Sequence, residues 1–228
     1  MFWQEDDEGD KPYEAPDDIV DLVFRIDCRQ LPLDHAWALS TAIQAVLPWF
    51  AGEKGAGMHQ IHVAESANGW FRPQDVEHEV LHLPRRARMI LRLPKARLED
   101  ARALVGAELD IDGHPLRVGE PSVKKLQPAS PLVARYVAAD PALSEEAFLS
   151  WVAEEILAMD IPVRKLMAGK TYAFRTPEGP VSARTIMIAD LKPEASVRLQ
   201  QEGIGPRREL GCGLFIPHKG IKSVRETN

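Results

Sequence analysis

The feature that most constrains the fold is a strand–helix–strand–strand–helix–strand order that runs through the sequence twice. In the first round, residues 19–27 alternate, with Val20, Leu22, Phe24 and Ile26 on one face and Asp21, Arg25 and Asp27 on the other; this is the period of a half-buried strand. Asp34 is placed to cap a helix from His35 to about Leu47, whose apolar stripe is Leu39, Ile43, Val46 and Leu47 and which Pro48 ends. Gly52, Gly55 and Gly57 mark a loop around Lys54, residues 58–64 suit a short strand, and 73–82 read as an irregular insert. Ala87, Met89, Leu91 and Leu93 then share one strand face, while Arg86, Arg88 and Arg92 share the other with Ile90. A helix over 95–105 and a hairpin across 110–114, ending near Val118, close the round.

The second round opens with a strand-rich stretch over 121–137. Ser144 leads a helix to about Met159, with Phe148, Val152, Ile156 and Leu157 inward. Strands over 163–174 and 181–188 join across Thr176-Pro177-Glu178-Gly179-Pro180, a helix starts at Pro193, and Leu214-Phe215-Ile216 form a last strand. The expected fold is α+β, two tandem ferredoxin-like (RRM-like) domains over 19–119 and 120–218. An acidic, disordered extension over 1–18 and a tail over 219–228 flank them. The repetition is one of topology, with no repeat of sequence. Such a sheet carries helices on one face and leaves the other free, and basic residues on a free face suit a phosphate backbone.

Near the C-terminus stands Gly203-Ile204-Gly205-Pro206-Arg207-Arg208-Glu209-Leu210-Gly211-Cys212-Gly213. Glycine admits positive φ and close approach to the main chain. Successive free amides in such a turn make an anion-binding concavity, and Arg207 and Arg208 add planar donors that match phosphate. No Gly-Lys-Ser/Thr follows, so the stretch is not a nucleotide P-loop. Its order resembles the C-terminal glycine-rich loop of the CRISPR repeat-processing endoribonucleases. The likeness to their MYXAN subtype extends through Val20-Asp21-Leu22-Val23-Phe24, Leu31-Pro32-Leu33-Asp34-His35, Gly57-Met58-His59, Leu91-Arg92-Leu93-Pro94 and Gly113-His114-Pro115-Leu116-Arg117-Val118-Gly119. It covers about Ile19 to Pro217.

The resemblance implies a repeat-specific endoribonuclease that needs neither metal nor cofactor. In that chemistry the ribose 2′-OH attacks the adjacent phosphorus, leaving a 2′,3′-cyclic phosphate and a 5′-OH, so the site needs a base, an acid and cations. Histidine suits the first two because its pKa lies near working pH. By position His35 inherits the proton-transfer role, with His59 as partner or Lys54 as stabiliser of phosphorane charge. Arg85, Arg86, Arg88 and Arg92 are expected to contact phosphate, as are Gly203, Gly205, Arg207, Arg208, Gly211 and Gly213. The partner implied is CRISPR repeat RNA, both precursor and processed guide, and the resemblance admits other subunits of a type I interference complex. A repeat-RNA-binding subunit without cleavage is the alternative.

Composition narrows the classes further. The whole chain carries a net charge of −6, but residues 1–18 hold eight acids against Lys11 and carry −7, so the remainder carries +1. The acidic balance therefore does not argue against RNA. Two cysteines, Cys28 and Cys212, make no disulfide framework, no apolar run is long enough to span a membrane and the start lacks a signal-peptide layout; a cytoplasmic setting is expected. One motif points elsewhere. His78-Glu79-Val80-Leu81-His82 matches the zinc-protease pattern His-Glu-x-x-His, which works only when both histidines share a helix face. Leu83-Pro84 follows at once, and proline disfavours helical angles before it.

Overall fold

The computed structural model describes residues 13–62 and 80–218. It is an α+β protein with two antiparallel sheets and a two-stranded ribbon. The first sheet holds β1 (Ile19–Asp27), β3 (Gly57–His59), β5 (Arg88–Pro94), β6 (Glu108–Ile111) and β7 (His114–Lys125) in the order β3-β5-β1-β7-β6. The second holds β8 (Leu132–Ala138), β9 (Lys165–Phe174), β10 (Val181–Ala189) and β11 (Phe215–Pro217) in the order β11-β8-β10-β9. In each, the first and third strands of a β-α-β-β-α-β run lie centrally, with the second and fourth outside them. That is the ferredoxin-like arrangement, used twice, with β6 added at one edge.

The alternation read from the sequence sets the register. Leu22 faces Leu91 and Phe24 faces Met89 across β1 and β5, and all four side chains are buried. They pack under α1 (Ala36–Val46), which contributes Leu39 and Ile43. The second core gathers Leu132, Ala134, Ile186 and Ile188 under α3 (Glu145–Leu157) and α4 (Pro193–Glu202). Ser144 caps α3 by accepting the Ala147 N–H at 3.1 Å. Leu157, expected inward, is exposed because it ends the helix beyond the last core turn at Ile156.

Three local expectations change. Asp34 does not cap α1; its carboxylate accepts the Arg175 N–H at 2.9 Å, tying the start of α1 to the end of β9. The helix expected over 95–105 reduces to one α-turn, α2 (Leu98–Ala101), between two 3₁₀ turns. Val80–His82 forms β4, paired with β2 (Gln30–Pro32), where an irregular insert was expected. The last strand of the first sheet runs on to Lys125, past the expected boundary at 119/120. Among the described residues no helix is long and apolar enough to cross a membrane.

Candidate nucleic-acid interface and active site

Three neighbouring strands bring Asp21 (β1), Arg92 (β5) and the β3 segment to the face of the first sheet away from its helices. Asp21 and Gly57 both stand opposite Arg92 in the ladder. This face is only partly free. The end of α4, the glycine-rich loop and β11 cover the half that contains Arg92, and this is why an arginine on the expected RNA face is fully buried. Its guanidinium grips Asp21 through two bonds, Nε to Oδ1 at 2.8 Å and Nη2 to Oδ2 at 3.2 Å. Nη1 donates to the carbonyls of Gln200 and Phe215, each at 2.8 Å. Arg92 is thus a rivet between the two sheets and is closed to phosphate.

Arg208 plays a similar part. It donates to the carbonyls of Ala56 at 3.0 Å, Gly55 at 3.1 Å and Gln201 at 3.4 Å, and also to that of Glu202. Burial, with Arg92 nearby, pulls its pKa down to about 10. Arg207 sits at φ 68°, 3.2 Å from Glu209 and 3.8 Å from Glu178.

The glycine loop itself is closed from within. The amides of Leu210 and Cys212 donate to Arg207 O, Gly211 to Arg208 O, Ile204 to Gly213 O, and Gly213 to Tyr136 O at 2.7 Å. Amides already donated cannot cradle an anion. The glycines have a packing reason instead. A Cβ on Gly213 would collide with Ile204 O, one on Gly203 with Gly213 O and Arg208, and one on Gly211 would press on Met58 O and Gln60. Gln60 Nε2 completes the seam by donating to Leu210 O at 2.9 Å. The loop, expected to hold RNA through its amides, spends these five on carbonyls of the protein and packs against residues 57–62.

Those residues carry His59 and His62, and His35 holds their backbone from the start of α1. His35, expected as the proton-transfer group, is 2% exposed. Its Nδ1–H donates to Pro32 O at 3.0 Å and its Nε2 accepts the Ile61 N–H at 3.1 Å. Burial lowers its pKa. With both nitrogens engaged, the ring fixes the backbone at Ile61 and has no lone pair left for substrate. The positive end of the α1 dipole also disfavours an imidazolium there, but the neutral ring is spent on structure.

His59 and His62 line a groove of about 520 Å³ between the two sheets. Arg86, Arg88 and Lys124 come from the first sheet and its approach; Arg135 and Tyr136 come from β8. His59 Nε2 lies 3.7 Å from Asp21 Oδ1, too long for a hydrogen bond and close enough for the carboxylate to favour a proton on the ring. Burial lowers the His59 pKa, opposed by Asp21 and reinforced by Arg92 and Arg208. Burial would raise the pKa of Asp21, but His59 and Arg92 outweigh it and hold the carboxyl far below its usual range. His62 stacks on Tyr136 with ring centroids 5.8 Å apart, and burial together with Arg135, His35 and His59 lowers its pKa to about 3.

Of the residues singled out from sequence, the structure gathers His59, Arg86 and Arg88 in one groove. Arg85 is exposed on the approach to β5. Lys54 lines a different cleft of about 820 Å³ beside Gly205, Arg207 and Arg208, where Asp18, Glu53, Glu202 and Glu209 offset the bases. Lys54 therefore does not share the groove with His59. Sequence reasoning missed His62, Lys124, Arg135 and Tyr136. His62 stood in plain sight, three residues after His59. Lys124 and Arg135 become groove residues only once β7 and β8 are placed side by side. His78 and Glu79 of the zinc-protease pattern lie outside the described residues. His82 lies on a strand, with Nδ1 3.3 Å from Gln30 Nε2, and not on the helix that pattern requires. Among the described residues no group of three or more His, Cys, Asp or Glu is placed to hold a metal ion.

Comparison with known proteins adds four findings. Residues 20–220 match a family model described as Cas6 Crispr. The chain is 31% identical over 198 residues, 87% of its own length and 81% of the relative's, to the CRISPR-associated endonuclease Cas6 of Myxococcus xanthus (strain DK1622). Its fold matches a solved CRISPR-associated protein Cas6 with a TM-score of 0.60 at 11% identity, covering 88% of this chain and all of that one. It also matches a RAMP protein described as binding different RNA substrates, with a TM-score of 0.60 at 13% identity, covering 86% of this chain and 98% of that one.

Proposed function

The chain belongs to the Cas6 family of CRISPR-associated endoribonucleases, and from that premise we propose that it cuts within the repeat of a precursor transcript by a metal-independent attack of the ribose 2′-OH. One observation carries the reading: a groove between the sheets holds an imidazole, His59, among four cationic side chains, Arg86, Arg88, Lys124 and Arg135. The cations fit a phosphate backbone and the extra charge of a pentacoordinate phosphorus. His59 takes the 2′-OH proton as the 2′-oxygen–phosphorus bond forms and the bond to the 5′-oxygen breaks; water protonates that oxygen. His62, neutral at working pH and stacked on Tyr136, orients the strand. His35 acts one step back, through the Ile61 amide. The acting partner is repeat RNA in the cytoplasm, and the guide-bound protein is available to other subunits of an interference complex.

Labelled repeat RNA incubated with the protein in EDTA is the test. The expected product ends in a 2′,3′-cyclic phosphate, and a 2′-deoxy nucleotide at the cut abolishes it. His59→Ala lowers the single-turnover rate by ~10²-fold with RNA affinity nearly intact. A mobility shift without product assigns the chain to RNA binding alone. An unchanged rate in His59→Ala removes the assignment of the base.

A further inference from the structure

The buried contact between Arg92 and Asp21 does more than join the sheets, because the same Asp21 oxygen that accepts Arg92 Nε lies 3.7 Å from His59 Nε2. His59 Nε2 is buried and has no hydrogen-bond partner. A nitrogen sealed against a carboxylate is stable there as an N–H and costly as a lone pair. An imidazole that carries its hydrogen on Nε2 keeps its lone pair on Nδ1. We infer that Asp21, clamped by Arg92, is a positioning residue for His59: it selects the Nε2–H tautomer and so turns the Nδ1 lone pair to the groove as the atom that takes the proton. This deepens the proposed function and rests on it.

The clamp has the parts this role needs. A carboxylate that must orient a ring needs a fixed rotamer, and two bonds from one guanidinium supply it. A carboxylate that must stabilise a transient imidazolium needs to stay ionised, and the buried guanidinium secures that. Arg92 in turn is held by the carbonyls of Gln200 and Phe215, on either side of the glycine-rich loop. Ring orientation in the first sheet is therefore referenced to the second. Among the described residues, the other charged or titratable groups around His59 are Arg208 from the glycine loop and His62 from its own segment, with Arg86, Arg88, Lys124 and Arg135 across the groove. Asp21 is the sole anion among these groups, so its removal has a defined sign: imidazolium becomes harder to form.

Three measurements test the proposal. In the wild-type protein, ¹⁵N NMR of the His59 ring should show the Nε2–H tautomer near neutral pH; an Nδ1–H ring overturns the inference whatever any variant does. Asp21→Asn should slow single-turnover cleavage by ~10-fold or more, leave RNA affinity within about twofold, and move the acid limb of the pH–rate profile to lower pH. Because Asp21→Asn strands a buried guanidinium and can unfold the protein, the double variant D21N/R92Q is measured beside it and should show the limb displaced in the same direction by a smaller amount, since losing Arg92 removes a charge that opposes the imidazolium. A double variant whose profile keeps its midpoint and loses only amplitude marks a purely structural pair. If His59→Ala is inactive while that midpoint holds, the positioning role alone falls. If His59→Ala cleaves at the wild-type rate, the underlying functional reading falls first.

Discussion

Replacing Arg208 by alanine separates the two roles an arginine in the glycine-rich loop can have. An arginine that grips RNA can be removed at little expense to the fold. The guanidinium here donates to carbonyls on both sides of the seam, those of Gly55 and Ala56 and those of Gln201 and Glu202. A charged donor contributes ~1.5–3 kcal/mol per bond, so three good bonds represent roughly 4–9 kcal/mol before opposing terms. Burial opposes them: the fall of the Arg208 pKa from 12.5 to about 10 corresponds to about 3 kcal/mol against the charged form. The net expected loss is about 3 kcal/mol, or roughly 6–12 °C in Tm for a chain of this size. Thermal unfolding followed by circular dichroism measures it. Arg86→Ala and Arg88→Ala are the controls; both should leave Tm within about 2 °C, weaken repeat-RNA binding, and flatten its salt dependence by about one unit of slope for each phosphate contact removed. An Arg208→Ala protein that melts with the wild type and binds RNA as poorly as the Arg86 variant would refute the reasoning.

Two further outcomes follow from the same packing. Gly213→Ala places a methyl group against Ile204 O at φ 71° and should cost more than ~3 kcal/mol, whereas Gly113→Ala, at φ 82° with open space around it, should cost only ~1 kcal/mol; urea unfolding of the pair compares them, and equal midpoints would contradict the closed loop. Acid should destabilise the protein from pH 6.5 downward. His35, His59 and His62 have lowered pKa values in the fold, so the unfolded chain binds the extra protons, and the stability they contribute is complete above 6.5 and lost as pH falls. His62, at about 3 and partly buried, accounts for about 1–2 kcal/mol by pH 5. Asp21, whose pKa is also lowered, adds to the loss below about pH 4. Melts at constant ionic strength that coincide at pH 7 and pH 5 would show that the histidines titrate freely.

The fold was legible because its signals are local. Alternation along residues 19–27 and 87–93, the cap at Ser144 and the proline at the start of α4 each state their element without help from a distant residue. The site was less legible because its residues are set by how the two sheets meet. Arg88 and Arg92 are four positions apart on one strand face and look alike in sequence. One lines an open groove, and the other is sealed under β11 and the end of α4. The glycine loop misled for a related reason. Its positive-φ residues were read as an invitation to a ligand, but their space is taken by Ile204, Met58 and Gln60. His35 shows the limit of inference by position: a histidine at a helix start is biased to neutral, and only the location of the Ile61 amide reveals what the neutral ring accepts.

The rivet formed by Arg92 reaches beyond the reaction. Its four bonds divide evenly, two to a carboxylate of the first sheet and two to main-chain oxygens of the second half. A hybrid that grafts the C-terminal half of a relative onto this N-terminal half would have to present two carbonyls at that spot, whatever their side chains. At this one point the second half is gripped by its main chain alone, so its side chains there are free to differ. Halves displaced there by even one hydrogen-bond length would trap a cation in a dry seam.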